Sequence, residues 1–103
     1  MPEIVISDTS CLILLQKIDH LSLLSKIYSK VIVTPIIASE FGKDLPDFIE
    51  IRTPKDQFAF KTLSQLVDQG EASAFTLAFE IDNCVLILDD RKARKVAKSL
   101  GLN

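Results

Sequence analysis

Acidic residues stand at junctions of this chain where an apolar run gives way to a helix-like one. Asp8 follows the run Glu3 to Ser7, and Asp89 and Asp90 follow Cys84 to Leu88. Glu40 lies in a helix-like segment after Lys30 to Thr34, and Glu71 opens another after Gly70. If the runs carrying Asp8 and Asp89–Asp90 pair in parallel, their acids meet at the carboxyl edge of one sheet, where open α/β folds place ligands. Carboxylates within about 5 Å of one another raise each other's pKa or hold a cation. An all-oxygen set suits Mg²⁺ or Mn²⁺. A single acid at a helix start is more often a cap or a partner of the helix dipole, so the hypothesis rests on the four positions together.

Those acids need strands and helices in alternation, and the pattern supplies them. Glu3 to Ser7, Lys30 to Thr34 and Cys84 to Leu88 are short β-branched or aliphatic runs, and Phe48 to Thr53 alternates as an edge strand ended by Pro54. Between them, helical spacing predicts helices over 11–18, 21–29, 36–41, 56–67, 71–81 and 91–100. Asp8-Thr9-Ser10 offers three capping residues, Pro35 fits a first helical turn, and Gly42 and Gly101 fit helix ends. The alternation predicts an α/β fold, three-layer α/β/α around a mainly parallel sheet.

Composition narrows the function. At 103 residues the expectation is one domain spanning 1–103. Mean hydropathy is +0.27, which buried parallel strands explain. The longest apolar stretch, Cys11 to Leu15, is too short for a bilayer, and Met1-Pro2-Glu3 lacks a basic signal-peptide start, so a cytoplasmic protein without membrane contact is expected. Cys11 and Cys84 sit in apolar runs as small core residues. One histidine, His20, is too few for a His-rich metal site, and exposed capping is its simplest role. With a net charge of −2, nucleic-acid binding needs a local patch or a metal.

Four segments, in order, resemble the motifs of PIN-domain proteins. They are Ile6-Ser7-Asp8-Thr9-Ser10, Pro35-Ile36-Ile37-Ala38-Ser39-Glu40-Phe41-Gly42, Gly70-Glu71-Ala72-Ser73-Ala74 and Leu86-Ile87-Leu88-Asp89-Asp90-Arg91-Lys92-Ala93-Arg94. The likeness is greatest to the VapC-like toxin branch and covers residues 3 to 103. It implies a Mg²⁺- or Mn²⁺-dependent ribonuclease, the toxin of a type II pair with a small antitoxin protein as partner. Asp8, Glu40, Glu71 and Asp90 would form the catalytic quartet and hold the metal, with Asp89 the rival for the fourth place. Ser10 would position water, and Asp8→Asn is expected to abolish cleavage with the fold intact. PIN domains of this branch continue into a further strand and helix, so the resemblance implies that these are missing here. An open sheet edge and a homodimer are then expected.

Arg91, Lys92, Arg94, Lys95 and Lys98 form the basic cluster, opposite an Ala93, Val96, Ala97 and Leu100 face. They begin beside the proposed site, where an RNA backbone could lie across them, and a solvated helix face explains them equally well. Two other metal-dependent classes fail. A receiver domain needs an aspartate at a central strand end, where this chain has Thr34-Pro35, and a haloacid-dehalogenase-like phosphatase needs Asp-x-Asp where it has Asp8-Thr9-Ser10. The alternative from another class is a degenerate PIN module that acts only through protein contacts.

Overall fold

In a computed structural model, residues 4–102 of the chain are described. Glu3, expected to open the first strand, and Asn103 lie outside the described residues. The order is β1 (Ile4–Ser7), α1 (Thr9–Lys17), α2 (Leu23–Ile27), β2 (Lys30–Val33), α3 (Pro35–Phe41), β3 (Ile49–Ile51), α4 (Gln57–Leu63), α5 (Gln69–Glu80), β4 (Cys84–Ile87) and α6 (Arg91–Ser99).

The four strands pair in the order β3-β2-β1-β4, and every pair is parallel. Val5 faces Val31 on one side and Val85 on the other, so β1 lies between β2 and β4. That pairing places the ends of β1 and β4 side by side, as the acids at their ends require. The order runs one way from β1 through β2 to β3 and then jumps back to β4. Right-handed crossovers therefore send the helices between β3 and β4 to the opposite face from those between β1 and β3, giving the expected α/β layering. Val5, Ile6, Val31, Ile32 and Val33 are buried, as central parallel strands require. α5 is buried from Gly70 to Ala78 except for the half-buried Glu71, and its small residues let Phe75 pack fully inside.

Several boundaries move for local reasons. α1 begins two residues before the expected Cys11 because Asp8 takes the cap and accepts from Cys11 N–H. α2 is shorter than expected: the chain turns through Asp19 at φ 57°, and Ser22 makes no side-chain cap. His20 is exposed in that turn: its N–H donates to Leu15 O at 2.8 Å, closing the end of α1 past Asp19, and its ring lies against the Ile18 carbonyl. β3 covers only Ile49–Ile51, though Arg52 N–H still donates to Val33 O at 2.9 Å. α4 stops at Leu63, short of Val67. Gly70 does not interrupt α5, because Asp68 and Glu71 form a capping box that starts the helix at Gln69. Gly42 at φ 71° ends α3, and Gly101 at φ 83° follows α6, as expected.

Candidate functional site

Asp8 is 4% exposed and ties three segments together. Its Oδ1 accepts from Cys11 N–H at 2.8 Å, which caps α1. Its Oδ2 accepts from Asp89 N–H at 3.0 Å, which joins β1 to the turn after β4. Its own N–H donates to Ile87 O at 3.1 Å, continuing the ladder by one residue. Both carboxylate oxygens are therefore part of the fold. Asp8→Asn therefore carries a stability cost as well as a loss of charge: an amide keeps one acceptor and turns an N–H₂ toward another N–H donor.

The other acids reach the same region from solvent. Glu40, near the end of α3, accepts from Thr9 Oγ1 through Oε1 at 2.6 Å. Glu71 is half-buried at the start of α5, and its Oε1 takes a long contact from Asp68 N–H at 3.4 Å. Asp8, Thr9, Ser10, Glu40, Asp68, Gly70 and Glu71 line a cavity of about 230 Å³. A neighbouring cavity of about 330 Å³ shares Asp68 and Glu71 as a wall and adds Asp90 and Lys92. The structure thus gathers Asp8, Ser10, Glu40 and Glu71 directly and brings Asp90 in across Glu71. Asp90 also caps α6, accepting from Lys92 N–H at 3.1 Å. The Asp89 side chain lines neither cavity, and its backbone serves Asp8 instead.

The charges in this region are uncompensated. Burial pushes the Glu71 carboxyl above its ordinary value, like charge on Asp68 adds to this, Asp68 N–H opposes it, and Asp90 and Asp8 push it further up. Among the described residues the one ion pair joins Arg52 to Glu50, far along the sheet, so none of the clustered acids has a cationic partner. The donors are all oxygen, the set that hard divalent ions prefer. Among the described residues no three ligating side chains converge on one point. Mg²⁺ binds through one or two carboxylates and keeps several waters. Glu40 and Glu71 beside Asp8 fit that open mode rather than a closed cage.

The five basic side chains of α6 are all exposed, while Ala93 and Ala97 are buried, so the expected division of that helix is present. Arg94 has a local task as well, donating from Nη1 to Leu88 O at 3.1 Å beyond the end of β4. Cys11 is buried, and its thiol is pushed up to about 12 by burial first and then by Asp8 and Asp89. A thiol held protonated is no nucleophile.

Three participants escape a reading of the chain for acids at strand ends. Thr9 reads as one of three capping residues, and its hydroxyl goes to Glu40 instead. Asp68 carried a legible signal, the Asp-x-x-Glu spacing of a capping box. Gly70 reads as a break, yet it lies in the helix against Glu40.

Comparison with curated proteins and with solved structures finds no match. Comparison with protein families matches residues 4–103 to the family described as PIN domain, which is nearly the whole chain and contains every acid of the site. Together with the parallel sheet and its helices, that match places the chain in the PIN-domain family.

Proposed function

We propose that this PIN domain is a divalent-metal-dependent ribonuclease that hydrolyses phosphodiester bonds of RNA at the Asp8, Glu40, Glu71 and Asp90 cluster. The observation that supports it most is the cluster's uncompensated charge. Three of these acids line one cavity and the fourth lines its neighbour, with no cationic side chain paired to any of them among the described residues. Glu40 and Glu71, with Asp8 behind them, would hold Mg²⁺ or Mn²⁺. A bound ion would activate water and neutralise charge on the scissile phosphate.

The chain's own residues then have separable tasks. Asp8 fixes the junction of β1, α1 and β4 and adds negative charge from below. Glu71, whose carboxyl is raised above its ordinary value by burial and by neighbouring acids, would have that repulsion relieved by a bound cation. Ser10, exposed at the cavity, is available to orient that water. Lys92 lines the neighbouring cavity, and Arg91, Lys95 and Lys98 extend from it along α6, a track for the phosphates of a single strand.

The wider biological reading is a VapC-like toxin held by a small antitoxin protein. A second copy is a further partner, supported by β4 at the sheet margin, paired only with β1 among the described residues. The test of the central reading is cleavage of a labelled single-stranded RNA by the purified chain. Cleavage with Mg²⁺ or Mn²⁺, abolished by EDTA and by Glu71→Gln, is expected. Undiminished cleavage in EDTA overturns the mechanism. Metal binding without cleavage of any RNA favours the degenerate module that works by protein contacts.

A further inference from the structure

Two residues from distant parts of the chain converge on one atom, Glu40 Oε1. Thr9 Oγ1 donates to it at 2.6 Å. A Cβ placed on Gly70 would lie 2.5 Å from the same oxygen, 3.2 Å from Glu40 Cδ and 3.3 Å from Oε2. Nothing in the backbone asks for glycine at 70. The positive-φ glycines are Gly42 and Gly101, and Gly70 is the second residue of α5. Glycine in a helix is less favourable than alanine. What its missing side chain provides here is room for the Glu40 carboxylate.

Glu40 needs such confinement. It is exposed, and a long side chain of this kind has rotamer freedom that binding an ion would have to remove. Thr9 is the first residue of α1, directly after Asp8. The backbone that fixes Asp8 therefore also fixes the hydroxyl that reaches Glu40.

The geometry points to Thr9 and Gly70 as positioning residues that hold the Glu40 carboxylate at the acidic cavity, Thr9 by donating a hydrogen bond and Gly70 by leaving the space. This deepens the ribonuclease reading and rests on it. A glycine kept for the fold and a glycine kept for position differ in what Gly70→Ala does. The added methyl meets the end of a flexible side chain rather than backbone. The fold should therefore survive and the helix gain propensity, while the carboxylate is displaced.

The experiment uses the whole 103-residue chain. Mn²⁺ affinity is measured by electron paramagnetic resonance, stability by urea unfolding, and the Glu40 ¹³Cδ chemical shift by NMR without metal. Gly70→Ala and Thr9→Val should each weaken Mn²⁺ binding about tenfold, the usual loss when an outer partner of a ligand is removed. Gly70→Ala should be at least as stable as the original chain. Both variants should move the Glu40 shift, Thr9→Ser should restore affinity and shift, and Gly70→Ala should add nothing to Glu40→Gln. An unmoved Glu40 shift, unchanged affinity, or unfolding of Gly70→Ala overturns the proposal. An original chain that binds no Mn²⁺, yet whose Glu40 shift responds to both variants, overturns the metal reading and leaves the positioning intact.

Discussion

The carboxyl edge of the sheet has two halves that treat acids in opposite ways. Around β3 three acids are satisfied at once: Asp56 caps α4 through Ala59 N–H at 3.0 Å, Glu80 takes Lys55 N–H at 2.9 Å and Asp56 N–H at 2.9 Å, and Glu50 pairs with Arg52 at 2.7 Å. Beyond β1 and β4, Asp8 is buried in two backbone hydrogen bonds, and Glu40, Glu71 and Asp90 line neighbouring cavities with no ion pair to any of them among the described residues. Acids at helix starts are therefore not in themselves a sign of a site, since Asp56 and Asp68 cap as Asp8 and Asp90 do. What separates the halves is the supply of partners. One half meets its acids with backbone N–H groups and an arginine, and the other crowds four acids together with no ion pair among the described residues.

The largest expected effect tests whether Asp8 belongs to the fold as well as to the site. Asp8→Ala should cost about 2–4 kcal/mol in urea unfolding, since it removes a cap and leaves buried N–H groups of Cys11 and Asp89 unpaired. Asp8→Asn should fall between that and the original chain, so its activity loss must be read beside its stability. A cost below about 0.5 kcal/mol, no more than an ordinary surface change, would remove the distinction between Asp8 and the outer acids.

Next in size is stabilisation by metal. Mn²⁺ at 100 times its Kd should stabilise the chain by about 2.7 kcal/mol in thermal unfolding. Glu40→Gln should lose most of that, and Glu80→Gln, from the satisfied half, should keep all of it. Equal responses of the two variants would show that the halves do not differ in affinity for cations.

Asp56→Ala should cost about 1 kcal/mol, the value of a lone helix cap, and leave Mn²⁺ binding unchanged. The smallest effect belongs to Glu71. Its carboxyl titrates above the ordinary 4.5 in the folded chain, so the folded form holds the proton more tightly than the unfolded one. The stability this contributes is fully present below the unfolded pKa and is lost as pH rises through the folded pKa. Glu71→Gln should therefore stabilise metal-free protein at pH 7 by about 0.5 kcal/mol or less, as befits a half-buried group, and the gain should vanish at acidic pH. A gain that persists below the unfolded pKa would assign it to something other than charge.

The order of strands and helices, the α/β class and the acids at the carboxyl edge were all legible in the sequence, because β-branched runs, helical periodicity and capping residues act over short distances. Gly42 and Gly101 were legible for the same reason, each ending its helix through a positive φ that glycine tolerates. The partnerships were not. That Asp8 gives its second oxygen to Asp89, that Thr9 serves Glu40 rather than its own helix start, and that Gly70 makes room rather than a break depend on residues 30 to 81 positions apart in the chain. Only the parallel pairing of β1 with β4 and the contact of α5 with α3 bring those groups within range, so the tertiary structure decides which acids hold the fold and which line the cavities without an ion-pair partner among the described residues.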